Sequence, residues 1–452
     1  MRIYAFESKV VALKITKKKV VLQTFDPATL NVKSREEFDF GGEYLGQSKI
    51  GERIIFWYAQ INKAEKRAQI FFREVQLNAL TLGEAQLLFE TDWITRKSGF
   101  FIPVFSSCFN GDKTELVIWS KQFVHFAPKE VFTVKLAKDV NFVRLNQDLK
   151  VVSRGSSSFD MTTMFSDVES ITPLSDNKLI INVALVDVVG FQTLSNAKLF
   201  SYLISGDGKP QNIRIIPTDK YIMEAGGLEL NDINYLVYEY SSSPEIRIEG
   251  LYFSEIVPSG ADGVSKQVEF GESLISQYVS KGYETNYIKE SIRTVKFVAL
   301  EDESTLVIIE AKSLYAIKLG KDLDVIWSAK IPKANFGRSI MNNNLTYDYQ
   351  LIRGKHVFVI LDAPTNENLE ITISPRASGY KVPEDVLRAY MIKDKTGEVS
   401  QKLAVNWADV GGYQAQQFIL PRHLVHAGDG KYFFEIYIGG KEELVGSFSL
   451  FD

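Results

Sequence analysis

Apolar and polar positions along this chain alternate in short runs, and the runs are separated by turn residues. Five segments repeat one arrangement: Val20–Phe40, Phe142–Val152, Lys198–Ile216, Leu314–Ile331 and Leu387–Val405 each read strand, Asp/Asn/Gly turn, strand. Alternation with period two marks a strand with one face toward a core. Asp, Asn and Gly between two such runs mark a tight hairpin. Another strand pair follows each of these within a few dozen residues. A unit of this kind repeated at roughly 50–60 residues predicts an all-β fold, a single β-propeller of four-stranded antiparallel blades. One small sheet cannot bury both of its faces alone and must stack on copies of itself.

Four strand types per blade follow, a to d from the axis outward. Type a covers Tyr44–Ile50, Gly99–Phe109, Ser170–Leu174, Thr294–Leu300, Tyr347–Ile352 and Phe418–His426, with a weakly marked member near Gly226–Leu230. Type b covers Val10–Ile15, Arg53–Ile61, Leu116–Ser120, Lys178–Val186, Tyr235–Tyr240, Thr305–Ala311, His356–Leu361 and Lys431–Ile438. The b strands are continuously apolar, as expected between neighbouring sheets. The c and d strands alternate more, with charge at the rim, as in Lys33-Ser34-Arg35-Glu36-Glu37. The tally predicts eight blades, with seven as the alternative, in one domain spanning 1–452. The last blade, Phe418–Asp452, is a strand short and Arg2–Phe6 is left over. Pairing Arg2–Phe6 with Leu444–Phe451 would close the ring and remove a loose edge; the alternative places it inside the first blade. Two insertions break the pattern, a helix-compatible stretch at 271–293 and a polar, Pro-containing excursion at 362–385.

Loop length is unevenly distributed. The a–b and c–d turns are tight, as at Gly111-Asp112-Lys113, Asp207-Gly208, Glu301-Asp302-Glu303 and Gly428-Asp429-Gly430. Long connections fall on the opposite side: Thr91–Ser98, Ser153–Asp167, Val188–Ala197, Gly271–Arg293, Pro332–Thr346, Asp362–Asp385 and Trp407–Gln417. Length beyond what joins two strands is where a rigid scaffold carries its binding surface. These loops and their flanks hold Trp93, Arg96, Arg154, Phe159, Phe336, Arg338, Arg376, Tyr380 and Trp407, the aromatic and Arg types that anchor interfaces. They are the candidate partner-binding residues; packing of the same aromatics on the blade tops is the competing explanation.

Composition narrows the partner classes. The net charge of −4 gives no basic stripe for nucleic acid. No run approaches the ~18 apolar residues of a membrane helix, so no direct membrane insertion is expected. A lone cysteine, Cys108, excludes an internal disulfide and a thiolate zinc site, and its apolar surroundings predict a buried, inert thiol. Histidines 423 and 426 stand three apart on a predicted strand, where they point to opposite faces and cannot close on one metal. No phosphate-binding or nucleophile motif occurs. Arg154-Gly155-Ser156-Ser157-Ser158 has no helix after it and reads as a loop. Asp160, Asp167, Asp348 and Asp362 are the acids that could face the axis. No catalytic residue, cofactor or metal is therefore expected.

The segments VVLQTFDPATLNVKSREEFDF, IRTVKFVALEDESTLVIIEAKS and LVHAGDGKYFFEIYIGGKEELVGSFSLFD resemble a group of uncharacterised Bacteroidota proteins of secreted or envelope propeller type, with an FDPxTL-type turn early. The resemblance implies a removed export leader and a periplasmic or cell-surface location. Met1–Val21 itself lacks the order of a signal peptide, since Lys17-Lys18-Lys19 follows the apolar stretch. The expectation is a non-catalytic module that docks a protein partner, an outer-membrane or secretion component, through its loop-rich face. The alternative is a carbohydrate-binding or carbohydrate-active propeller with a polar axial funnel.

Overall fold

A computed structural model of the chain describes residues 2–16, 19–93, 104–110, 113–121, 139–158, 165–174, 177–186, 197–205, 210–213, 221–230, 233–241, 250–257, 263–269, 294–310, 314–331, 347–362, 386–406, 424–438 and 442–451. Every regular element among them is a strand. The first sheet is β1 (Arg2–Ala5), β2 (Val10–Ile15), β3 (Lys19–Phe25) and β4 (Val32–Asp39). The second is β5 (Glu43–Ile50), β6 (Arg53–Asn62) and β7 (Arg67–Gln76), with β8 (Thr81–Leu82) and β9 (Gln86–Asp92) sharing the outer edge of β7. Then come β10 (Val104–Phe109), β11 (Glu115–Lys121), β12 (Asp139–Asn146), β13 (Val151–Ser158); and β14 (Phe165–Pro173), β15 (Leu179–Val186), β16 (Ala197–Ile204), β17 (Pro210–Ile213). The fifth sheet is β18 (Tyr221–Leu230), β19 (Ile233–Ser241), β20 (Gly250–Glu255), β21 (Ser265–Glu269), and the sixth β22 (Thr294–Ala299), β23 (Thr305–Glu310), β24 (Leu314–Leu319), β25 (Val325–Ile331). The seventh is β26 (Tyr347–Ile352), β27 (Lys355–Asp362), β28 (Val386–Lys393), β29 (Val399–Asn406), and the last β30 (Val425–His426), β31 (Lys431–Ile438), β32 (Glu442–Ser449). All neighbours are antiparallel and in chain order. The fold is all-β, of the β-propeller class, with eight blades.

The sheets group into two compact units of four. One comprises Met1–Ile15, Val20–Glu37 and Ser276–Asp452; the other Thr16–Lys19 and Phe38–Ile275. In the second unit, Trp57, Ile70 and Phe72 pack on Ile118, Val143 and Leu145 of the next sheet. Val117 and Phe142 in turn pack on Ile171 and Ile181, and Leu174, Ile180 and Leu203 on Leu236 and Tyr238. In the first unit, Leu306, Ile308 and Ala316 meet Phe358, Ile360 and Tyr390. Val357, Val359 and Leu387 meet Tyr432 and Phe434. The inner strands are thus covered on both faces. The c strands, expected to alternate, do so unevenly: β7 alternates, whereas β28 is buried over Val386–Ile392, because the d strand and the adjoining sheets cover it as fully as β23. Alternation survives at the rim, in β4 and β21.

Two expectations need correction. Arg2–Ala5 does not pair with the C-terminal strand; it is the inner strand of the first sheet, in register Arg2↔Leu13 to Ala5↔Val10. The Phe6 N–H donates to the Lys9 carbonyl at 2.9 Å and closes a local hairpin, which needs less loop-closure entropy than a pairing between the chain ends. The first and last sheets meet through side chains instead, Ile3, Ala5 and Phe25 against Phe433. Second, Ser153–Ser158 belongs to β13 and not to a loop. The stretches 271–293 and 363–385 lie outside the described residues.

Four c–d turns share one backbone solution. Leu30, Leu80, Leu149 and Leu323 hold positive φ of 58, 52, 62 and 62°. A left-handed Leu costs ~1–2 kcal/mol. Leu149 and Leu323 are buried, and burial of such a side chain returns ~1.5–3 kcal/mol, so the apolar anchor outweighs the strain.

Truncating residues that face the adjoining sheet should be costly. Ile308→Ala and Phe434→Ala are expected to destabilise the fold by ~2–5 kcal/mol, measured by urea denaturation. Losses under ~1 kcal/mol would remove these strands from the core.

Candidate functional site

Most charge on this chain is solvated, so buried charge is the first place to look for a site. In the first unit, the ends of the sixth and seventh sheets bring Asp302, Lys318, His356 and Asp394 together. Asp302 sits in the β22–β23 turn, where the Ser304 N–H and hydroxyl donate to its carboxylate. Lys318 is next to last in β24; its Nζ donates to Asp302 Oδ2 at 2.7 Å and to Asp394 Oδ1 at 2.6 Å. Asp394 opens the β28–β29 turn, anchored by its own N–H to the Gly354 carbonyl at 3.1 Å. His356 Nε2 lies 2.8 Å from Asp394 Oδ1 and its Nδ1 lies 2.9 Å from the Tyr349 hydroxyl. Trp327 covers the group: its Nε1 donates to the Asp394 carbonyl at 2.7 Å and its ring lies 5.4 Å from the imidazole. Gly397, at φ 72°, lets the chain pass under Trp327, whose Cβ would stand 2.9 Å from any added Cβ.

Electrostatics follow from burial opposed by pairing. Desolvation pulls His356 below its usual value, with Asp394 opposing only in part. The imidazole is therefore neutral; Nε2–H donates to the carboxylate and Nδ1 accepts from the tyrosine hydroxyl. Burial works against the charge on Lys318, yet the hydrogen bonds to Asp302 and Asp394 outweigh it and raise its pKa. Burial would raise Asp394, but donation from Lys318 and His356 overrides it and the net shift is down. The hydrogen bond from Lys318 is the largest influence on Asp302, lowered to about 2.

A histidine held by a carboxylate invites a general-base reading. The geometry opposes it. Both imidazole nitrogens are occupied and His356 is 0% exposed, while a base needs a nitrogen open to its substrate. The cluster fastens one sheet to the next. Its counterpart in the second unit is Arg144, at the same place before the same kind of turn: Arg144-Leu145-Asn146-Gln147-Asp148-Leu149 against Lys318-Leu319-Gly320-Lys321-Asp322-Leu323. Fully buried, Arg144 donates through Nε to Glu115 at 3.0 Å, and through Nη1 and Nη2 to the carbonyls of Lys178 and Leu174 in the next sheet, at 3.0 and 2.6 Å. Each ladder slips by a residue just beyond the cation.

Of the candidate partner-binding residues, Trp93 is 5% exposed and stacks on Phe105, so it packs within its unit. Arg154 is exposed on β13. Arg96, Phe159, Phe336, Arg338, Arg376, Tyr380 and Trp407 lie outside the described residues, as do Asp160 and His423. Asp348 is half-buried on β26, and Asp167 and Asp362 fall in β14 and β27. His426 accepts the Gly430 N–H at 3.3 Å. Cys108 is partly exposed, and desolvation pushes its thiol up to about 12, an unreactive state. Among the described residues no group of three His, Cys, Asp or Glu could hold a metal. The buried Lys, His and Asp escaped notice in the sequence because they stand up to dozens of residues apart. The one legible signal was the repeated cation–Leu–x–x–Asp–Leu turn.

No protein-family model matches the chain, and no curated sequence matches it. Solved structures similar to it include an uncharacterised protein of Listeria monocytogenes, at 8% identity and TM-score 0.37, covering 78% of this chain and 79% of that one. The WD40 domain of SCAP from fission yeast is 10% identical with TM-score 0.37, over 90% and 87% of the two chains. An acylaminoacyl peptidase of Pyrococcus horikoshii is 12% identical with TM-score 0.38, over 99% of this chain and 56% of that one.

Asp394→Ala leaves Lys318 with one carboxylate and His356 with none, and is expected to cost ~2–3 kcal/mol. That is below the ~3–5 kcal/mol of a fully buried pair because Asp394 is partly exposed; chemical denaturation measures it. Stability should also fall on acidification in two steps. Because His356 has a depressed folded pKa, the unfolded chain takes up its proton first, and stability is lost as pH drops below 6.5. Asp302, at about 2 in the fold against an ordinary 3.8, adds a loss between those values. Denaturation midpoints across pH should show a shallower first step in His356→Gln; an unchanged slope would exclude the imidazole as its source.

Proposed function

We propose that the chain is a non-catalytic interaction module that docks a protein partner through its loop-rich face, as part of a cell-envelope or secretion assembly. The observation that carries this reading is the asymmetry of the connections. In the sixth and seventh sheets the a–b and c–d turns are short, at 300–304, 320–324, 353–354 and 394–398. The longest connections from β10 onward are of the other two kinds, b–c or d–a, as at 122–138, 332–346, 363–385 and 407–424, although β23–β24 and β31–β32 are tight b–c turns. Antiparallel order puts these two sets at opposite ends of each sheet. The b–c connections β2–β3 and β6–β7 are tight hairpins as well, so the docking surface is assigned to the sheets that carry the long connections. The sequence of those connections includes Phe336, Arg338, Arg376, Tyr380 and Trp407, of the types that dominate binding energy. The buried His356 and Arg144 groups, engaged in fastening sheets, support a non-catalytic reading. The carbohydrate alternative has no observation of its own among the described residues.

Affinity purification from native membranes tests the proposal. Wild type and a Lys321→Ala control on the tight-turn side should recover the same partner. Arg338→Ala/Tyr380→Ala should lose at least about tenfold of it, roughly 1.4 kcal/mol, with an unchanged melting temperature. Equal recovery by all three proteins would sink the loop-face assignment.

A further inference from the structure

We draw no further inference here: the strongest candidate, the side-chain cluster in which Tyr349, His356 and Asp394 are hydrogen-bonded in series at the tight-turn end of the seventh sheet, belongs to the site already described, where these groups are engaged in fastening the sixth sheet to the seventh.

Discussion

The packing of each small sheet against the next is the interaction on which the rest of this structure depends. A four-stranded sheet has two faces and cannot bury either one by itself. Phe72, Phe358, Tyr390 and Tyr432 are all essentially inaccessible because a neighbouring sheet covers them. This explains why the b strands, and c strands such as β28, are largely apolar, and why polar groups near the sheet ends need dedicated partners. A buried ammonium or guanidinium is tolerated only when carboxylates or carbonyls surround it. Lys318 has two carboxylates, and Arg144 has one carboxylate and two carbonyls. In both cases a partner comes from the adjoining sheet, so the groups that would be costliest to bury alone also set how two sheets align.

The architecture was legible because sheet packing imposes local patterns. Val10–Ile15, Tyr347–Ile352 and Lys431–Ile438 carry the bounds read from the sequence; in the first, burial on both faces over Val10–Leu13 leaves a clear apolar run. Bounds drifted where a strand is short or its flanks are apolar. The last inner strand is described over Val425–His426, and the earlier part of the run expected from Phe418 lies outside the described residues. The fate of Arg2–Phe6 could not be read at all. An alternating segment pairs equally well with either candidate edge by pattern, and the short hairpin at Phe6–Lys9 decided it.

The polar clusters were illegible for a different reason. Nothing about Asp302, Lys318, His356 or Asp394 in isolation departs from ordinary turn and strand-end composition. Their meaning arises when the ends of β24 and β27 and two turns converge, which is a property of sheet stacking and not of sequence spacing. Trp93 shows the opposite ambiguity. An aromatic beside a long loop reads as an interface anchor, and in the structure its ring stacks on Phe105. Large aromatics serve a lid over a sheet end and a contact with a partner equally well, so residue type alone cannot separate the two.

The same packing logic locates where this molecule can interact. Both faces of the inner strands are consumed by neighbouring sheets, and side chains at the tight-turn end are tied down in pairs such as Arg353 with Asp429 and Lys321 with Glu303. What the packing does not consume is connection length at the other sheet end. A surface built from loops can vary in sequence with little effect on the sheets beneath, because the contacts that join the sheets run between strands.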